Sequence, residues 1–445
     1  MNISARSLKL AAIISLLLAA QAVFGAEKKQ VIAELNYEIS GKTGEEALRR
    51  YVGLEIGDSF DSEEAFVAAV EDKKQILINY RVFDSVELER RILRQDDSTV
   101  EWALTYAVVD AMTLTPIPYP KYSSSSGFRL AIRTDYYNAF GSMTDIELNT
   151  GINIQKNEVT DKTELSEWNV TADWSGYRLN DWLKLSFGFE ESLNQSKFTS
   201  GLPATQYYFS YYKTTFSTKF QFDLPGKWSY FVKPFFDMRY GYEDKASWGN
   251  MNREPLAFAA THGGSWGRVN WHENLRDGQS YSLQHTVKFI FDSETGNRKV
   301  ANEFDAVSTW YWEFGGLLDF YPRVGAFYIV NNQRSAVGSY LRGVDDSSMS
   351  GDWGVYCNAT LAFQFWRLPG VWDAQIHPFF DIGIAGDSSA STDINQLKYG
   401  AGVDLVLYLD ALPTLVARGT IGLNLSDDIS GWDKLEIAVA SYLSY

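Results

Sequence analysis

The sequence predicts a small α+β domain followed by a transmembrane antiparallel β-barrel of about sixteen strands. No apolar run after residue 26 is long enough for a spanning helix. Aromatic residues make up 15% of the chain although its mean hydropathy is only −0.23, and long alternating segments fill the chain from residue 128 onward. Strands that alternate lipid-facing and lumen-facing side chains have this composition. A soluble exported lectin or sandwich shares part of it.

Residues 1–26 have the layout of a signal peptide. Basic residues precede a mostly apolar run from Leu10 to Ala20, and small residues follow it. Cleavage after Ala22 or after Gly25 fits the requirement of a signal peptidase for small residues. The run is shorter than the about 20 residues of a spanning helix, so we expect export, with an uncleaved membrane anchor as the alternative.

Composition argues against several classes of function. The single cysteine, Cys357, allows no intramolecular disulfide. The formal net charge of −16 disfavours a nucleic-acid partner. The four histidines have no spacing typical of metal ligands, so we expect neither a metal nor another cofactor.

Residues 27–114 are predicted to form one compact domain with the order β-α-α-β-β. Asp61 and Glu64 have the spacing of a capping box, which predicts the start of the second helix. The predicted elements are a strand over 31–40, a helix over 44–54, a helix ending at 80, and strands over 83–93 and 100–109.

Residues 115–127, TPIPYPKYSSSSG, are predicted to be a linker. Three prolines at alternate positions and four consecutive serines disfavour both helix and sheet. The sequence therefore places a domain boundary here, and the barrel is expected to run from Phe128 to Tyr445.

The barrel segment consists of long alternating runs. Residues 207–224 and 228–242, for example, exceed the about 5–6 residues of a typical soluble strand. Tilted strands need such lengths to cross an apolar band of about 25 Å. At roughly twenty residues for each strand with its connection, the segment accommodates about sixteen strands.

One hairpin recurs within this segment. The motifs FQF, LPG, W and PFFD follow one another at residues 220–237 and again at 363–381. We predict a tight turn at each Pro-Gly pair, with the adjacent tryptophan at a membrane interface. Chance similarity among aromatic-rich strands is the alternative. The predicted turn residues are Pro225, Gly226, Pro369 and Gly370.

Four motifs carry a resemblance to a known family. They are GLEIGDSFDSEEA (53–65), INYRVFDSVELE (78–89), SYLRGV (339–344) and FFDIG (379–383). The first two are similar to the Gly-Asp turn and the Phe-x-x-Val strand start of a POTRA domain. With the barrel pattern, the chain resembles the BamA/TamA-type outer-membrane assembly and translocation superfamily, in which POTRA domains precede a sixteen-stranded surface-antigen barrel. It resembles a member with a single POTRA domain.

The resemblance implies that one extracellular loop folds back into the barrel lumen. Arg342 of this loop is then expected to meet Asp381, because an arginine in a confined lumen needs a carboxylate and losing one partner of a buried pair costs about 3–5 kcal/mol. Two positions depart from the family pattern: Val344 replaces an aromatic residue, and Gln364 stands where a second acid is usual. An ordinary surface turn is the alternative. The loop motif comprises Leu341, Arg342, Gly343 and Val344.

The resemblance also implies a seam between the first and last barrel strands. We place the first strand at Phe128–Tyr137 and the last at Lys434–Tyr445. Unpaired backbone groups cost several kcal/mol each in lipid, so an opened edge is a strong template for an incoming strand.

These features imply a non-enzymatic outer-membrane protein with its N-terminal domain in the periplasm. It would assist the insertion or translocation of unfolded outer-membrane or secreted client proteins. Membrane lipid and periplasmic accessory proteins or chaperones are further expected partners.

Two other classes of function remain alternatives. One is an outer-membrane channel or surface-exposed binding barrel without assembly activity. The other is a lipid hydrolase, because Gly263–Gly267 fits G-x-S-x-G. A hydrolase elbow needs a strand-turn-helix context, which is not predicted here, and no carboxylate can be assigned to orient His262.

Overall fold

We describe the protein from a computed structural model. It covers residues 28–440 apart from 124–126, 157–162, 181, 201–204, 244–255, 292–297, 335, 346–347, 389–395 and 427–434. The predicted signal peptide, residues 1–26, lies outside the described residues. Neither of the two helices in the described part is long and apolar enough to cross a membrane.

The N-terminal domain is a four-stranded sheet covered by two helices. Its elements are β1 Lys29–Ser40, α1 Glu45–Val52, β2 Ser59–Phe60, α2 Glu63–Tyr80, β3 Phe83–Gln95 and β4 Thr99–Asp110. The sheet order is β2-β1-β4-β3, with β1 and β4 parallel. Its core is built from fully buried side chains of both helices and of the two central strands, including Leu48, Phe66, Val70, Leu77, Ile32 and Leu104.

The elements predicted for this domain are present, with two differences. The short strand β2, which pairs with β1, was not predicted. The N-cap of α2 is Ser62 rather than Asp61: the Ser62 hydroxyl accepts a hydrogen bond from the backbone N–H of Ala65 at 3.1 Å. Serine is as good a cap as aspartate, so the sequence favours neither position.

The described residues from Leu114 onward form one sheet of sixteen strands. Strands that are consecutive in sequence are neighbours in the sheet and pair antiparallel. Its strands are β5 Leu114–Ser123, β6 Gly127–Tyr136, β7 Asp145–Lys156, β8 Thr163–Asn180, β9 Leu183–Ser200, β10 Thr205–Leu224, β11 Trp228–Glu243, β12 Leu256–His272, β13 Leu275–Phe291, β14 Arg298–Phe314, β15 Leu318–Val330, β16 Trp353–Leu368, β17 Trp372–Gly386, β18 Lys398–Leu409, β19 Leu412–Asn424 and β20 Leu435–Ala440. The sheet curls into a nearly closed barrel, in which Cα atoms of its two end strands, β5 and β20, approach within 8 Å.

The predicted linker over 115–127 is wrong, because most of it forms β5. Its three prolines alternate with residues that pair with β6, and an edge strand tolerates proline where its nitrogen faces away from the neighbour. Within the described residues, fifteen of the sixteen strands, β6 to β20, lie in the region predicted for the barrel, and the sixteenth, β5, lies in the predicted linker. Phe128 lies near the start of β6 and Tyr137 directly follows its end, and β6 has neighbours on both sides, so the two residues do not mark the seam. Lys434 and Tyr445 lie outside the described residues.

The outer face of the barrel is apolar. Large exposed side chains alternate with lumen-facing ones along the strands, as at Phe216 and Phe220 of β10, Phe258 of β12, Leu283 of β13 and Phe304 of β14. Such an alternation is what a lipid-facing surface requires.

The structure has turns at both predicted Pro-Gly pairs. Pro225 and Gly226 turn the chain between β10 and β11, and Pro369 and Gly370 do so between β16 and β17. Both glycines have a positive φ, +76° and +78°, which explains the residue type at that position. Trp228, directly after the first turn, is 54% exposed.

A row of polar side chains crosses the outer face. The Tyr230 hydroxyl lies 3.2 Å from His262 Nδ1, His262 Nε2 lies 3.1 Å from His285 Nδ1, and His285 Nε2 lies 3.1 Å from Asn302 Oδ1. His285 also stacks on exposed Phe304, which places the row among the exposed apolar residues of the outer face. The Asn302 oxygen can only accept, so His285 Nε2 must donate to it. By the same reasoning His262 Nε2 donates to His285 and the Tyr230 hydroxyl donates to His262, so each of the three contacts joins one donor to one acceptor.

The G-x-S-x-G match lies within β12 rather than at an elbow. Ser265 shares a hydrogen bond with Ser229 on the neighbouring strand, 2.7 Å between the hydroxyl oxygens. His262 is three residues away in an extended strand, so its side chain is on the opposite face of the sheet. The two residues therefore cannot form a catalytic pair.

Candidate functional site

The loop between β15 and β16 folds back into the lumen. It contains a single turn of 3-10 helix, Val337–Tyr340, followed by the predicted motif. Its apolar side chains pack on the wall formed by β15 to β17. The buried members of this cluster are Phe327, Ile329, Val337, Leu341, Val344, Met349, Tyr356 and Ala385. Val344, which replaces the expected aromatic residue, therefore packs as part of an apolar contact.

Arg342 is held by several partners inside the barrel. Its Nε and Nη2 donate to the two carboxylate oxygens of Asp381 at 2.9 and 2.7 Å, and its backbone N–H donates to the same carboxylate at 2.8 Å. Nη2 also donates to the Thr360 hydroxyl at 2.9 Å, and the guanidinium carbon lies 3.9 Å from the centre of the Phe379 ring. The structure thus brings together Arg342 and Asp381, the pair that the family resemblance implied.

A second carboxylate comes from Asp404 on β18, not from the position of Gln364 on β16. Arg342 Nη1 donates to Asp404 at 3.0 Å, and the Thr420 hydroxyl donates to the other Asp404 oxygen at 2.7 Å. Asp381 and Asp404 are fully buried, and Arg342 is 8% exposed. Sequence reasoning missed Asp404, although it is a lone acid in the apolar alternating run VDLVLYL.

Glycines allow the loop backbone to lie directly on the barrel wall. A Cβ at Gly400 of β18 would stand 2.3 Å from the Arg342 carbonyl oxygen, and a Cβ at Gly422 of β19 would stand 2.7 Å from the Gly343 Cα. Gly343 itself has φ of +79°, a conformation that other residues rarely adopt. The motif is therefore fixed by close backbone contact as well as by charge.

The N-terminal domain docks on the barrel end that carries the short turns, through the end of α2. Arg81 donates to the carbonyl oxygens of Pro413 at 2.6 Å and Glu273 at 2.9 Å, and to the side chain of Asn274 at 2.9 Å. Its guanidinium carbon lies 4.3 Å from the centre of the Trp271 ring. Burial lowers the pKa of Arg81 to about 10, so it remains a cation at neutral pH.

Further polar contacts extend this docking along α2. Asn79 accepts from the Trp271 backbone N–H at 2.9 Å, and Asp72 forms an ion pair with Arg268. The Tyr80 hydroxyl donates to Asp145 at 2.5 Å. Burial and this carboxylate raise the pKa of Tyr80 far above its usual range, which keeps the hydroxyl a donor. None of these contacts was anticipated from the sequence.

The strands β5 and β20 stand at the two ends of the sheet order. Within the described residues they are the edges between which the barrel closes. The described residues contain no group of three or more His, Cys, Asp or Glu side chains arranged for a metal ion.

Comparison with solved structures identifies proteins of similar fold. CdiB from Acinetobacter baumannii aligns over 92% of this chain and 73% of its own, with 12% identity and a TM-score of 0.56. The fold is similar to that of CdiB. CdiB from Escherichia coli aligns over 92% of this chain and 89% of its own, with 12% identity and a TM-score of 0.51.

A third structure, BamA from Haemophilus ducreyi lacking POTRA domains 1–3, covers 92% of this chain and 84% of its own with 13% identity, but its TM-score is 0.49. No protein-family model and no curated protein matches the sequence. The likeness therefore concerns the fold alone.

Proposed function

We propose that this protein resides in an outer membrane and assists the insertion or translocation of client proteins. The observation that carries the proposal is the lumen loop, in which Arg342 bonds to Asp381 as the BamA/TamA-type motif implies. The apolar outer face and the fold shared with CdiB support the membrane location.

The N-terminal domain is proposed to be a periplasmic POTRA domain that receives the client. Its strand β3 is an edge of the sheet, and most of its side chains are exposed. An exposed edge of this kind can pair with an extended segment of another chain by β-augmentation. The other edge strand, β2, has only two residues, so β3 is the longer of the two edge strands.

A disulfide lock of the seam tests the proposal. Leu114→Cys on β5 and Val439→Cys on β20, which the strand registers place on the same face of the sheet, would be combined in a Cys357→Ser background and reconstituted in vesicles. The probe is a urea-unfolded eight-stranded outer-membrane barrel, whose insertion is scored by protease protection. We expect acceleration of insertion by the reduced protein and none by the oxidised one. Equal rates in empty vesicles and with the reduced protein would contradict the proposal.

A channel is the second candidate, because part of the lumen is open. Two cavities of about 370 and 410 Å³ lie inside the β8 to β14 side, lined mostly by polar and charged residues. Single-channel recording distinguishes the two functions. A large and steady conductance that the oxidised seam leaves unchanged, together with no client insertion, would favour the channel.

A further inference from the structure

The three prolines of β5 occupy equivalent positions in its pairing with β6. Pro116, Pro118 and Pro120 are opposite Thr134, Ile132 and Leu130. In an antiparallel pair, residues alternate between positions that bond to one neighbour and positions whose N–H and C=O point to the other side. All three prolines therefore direct their nitrogen atoms to the same side of β5.

That side is the seam. The Tyr137 N–H donates to the Thr113 carbonyl at 3.0 Å, and this pair continues the register of β5 and β6. Odd-numbered residues of β5 therefore bond to β6, and even-numbered residues face away from it. Because β5 is the end of the sheet order, the nitrogen atoms of its three prolines face β20.

Proline has no N–H, so this edge has lost its central donors. Along β5 only Leu114 and Tyr122, near its two ends, retain an N–H on the seam side. Along the centre of β5, a ladder between β5 and β20 can form only the bonds that β20 donates to β5 carbonyls. By contrast, β20 reads LEIAVA and retains every amide. Other barrel strands contain single prolines, such as Pro234, Pro322 and Pro378, each of which removes only one donor.

We propose that β5 is a donor-poor edge that keeps the seam from closing as a continuous ladder, and that β20 is the edge on which an incoming strand pairs. The occupant is an extended segment of a client polypeptide, which can exchange both donors and acceptors with β20 but only donate to the centre of β5. The second half of this inference rests on the proposed function. The first half, the donor-poor edge of β5, concerns the protein without a client and does not depend on the proposed function.

Restoring the donors tests the first half. P116A/P118A/P120A would be compared with P234A/P322A/P378A, a control with the same number and kind of substitutions away from the seam. Nitroxide labels on Leu114→Cys and Ala440→Cys in a Cys357→Ser background report the seam width. We expect a broad distance distribution in the parent and the control, and a single narrow peak in P116A/P118A/P120A. A parent distribution already as narrow as that of this variant, or no narrowing in it, would overturn the donor-poor edge.

Hydrogen exchange provides a second readout on the same variants. The three new amides at positions 116, 118 and 120 should be protected from exchange by pairing with β20. Free exchange at all three, in a variant that remains folded, would mean that the seam is held apart by something other than the missing donors and would contradict the inference.

Site-specific photocrosslinking tests the second half. A photoreactive residue replaces Ile117 on β5 or Ala438 on β20, positions that the registers place on the same face of the sheet, and the urea-unfolded eight-stranded barrel is again the probe. We expect adducts mainly from β20, and their loss in P116A/P118A/P120A because the seam then closes. Stronger adducts from β5 would overturn this assignment. No adducts from either strand would refute client pairing and the proposed function together, while the label distances would still decide the state of the seam.

Discussion

The two sides of the barrel lumen differ in what fills them. On the side of β15 to β19, the returning loop brings Arg342 against two buried carboxylates and excludes water. On the side of β8 to β14, cavities of about 370 and 410 Å³ remain. One side of the lumen is therefore packed by the loop, and the other side retains open space.

The charges differ in the same way. The register pairs Ser217 with Phe235 and Phe220 with Val232, which sets Lys219 directly opposite Lys233 on the open side. Both lysines line a cavity, and within the described residues no carboxylate forms an ion pair with either. Like charges in facing positions are unfavourable. The open side therefore tolerates a pair of facing cations beside its ion pairs, such as Lys288 with Asp237, whereas the loop side surrounds Arg342 with two buried carboxylates.

Arg342→Ala should have the largest effect. It leaves Asp381 and Asp404 buried without their cation, which costs about 3–5 kcal/mol of stability. Urea unfolding in detergent, followed by tryptophan fluorescence, measures it. The control is Lys213→Ala on the open side, which removes a partly exposed pair with Glu190 worth about 1 kcal/mol or less. Equal losses in both variants would remove the distinction between the two sides.

Gly400→Ala should have the next largest effect. The added methyl would overlap the Arg342 carbonyl, which is backbone and cannot rotate away, so we expect a loss of about 3 kcal/mol and displacement of the loop. Gly419→Ala on β19 is the control, because its Cβ would meet nothing within 4 Å. Protease cleavage in the loop measures the displacement, and an uncut loop in Gly400→Ala would contradict the packing described.

Arg81→Ala should weaken the docking of the N-terminal domain by about 2 kcal/mol, since three hydrogen bonds and a cation–π contact are lost. Faster hydrogen exchange in α2 would report it. Arg49→Ala is the control, because Arg49 is exposed and bonds to Glu45 within its own helix. Unchanged exchange in both variants would mean that other contacts hold the domain.

Lys219→Gln should have the smallest effect and the opposite sign. Removing one of two facing ammonium groups is expected to stabilise the barrel, by less than about 1 kcal/mol. Lys288→Gln is the matched control, because it breaks an ion pair with Asp237 at 2.9 Å and should destabilise. A shift of the unfolding midpoint in the same direction for both variants would show that net charge, and not the facing position of Lys219 and Lys233, determines the change in stability.

Most of the fold could be predicted from the alternation of side chains. The long strands, the Pro-Gly turns and the separate N-terminal domain all follow from local patterns. The boundary over 115–127 could not, because alternating prolines disfavour an interior strand but fit an edge strand, and the sequence does not say which strand is an edge. One misplaced strand also moved the expected seam from β5 to β6.

The site could be predicted only where a motif carried it. Arg342 and Asp381 were identified through the family resemblance, since nothing local relates residues so far apart in the chain. Asp404 was missed because the register between strands decides which acid reaches the lumen loop. Arg81, which directly follows the end of α2, was missed because docking between domains leaves no periodic pattern in the sequence.

The row of Tyr230, His262, His285 and Asn302 on the lipid face has a consequence for how this sequence can vary. Each residue is hydrogen-bonded to the next, so replacing one of them by an apolar residue leaves a donor or an acceptor of its neighbour without a partner in hydrocarbon. Natural variants should therefore keep all four residues or exchange neighbouring ones together, so that the four positions covary.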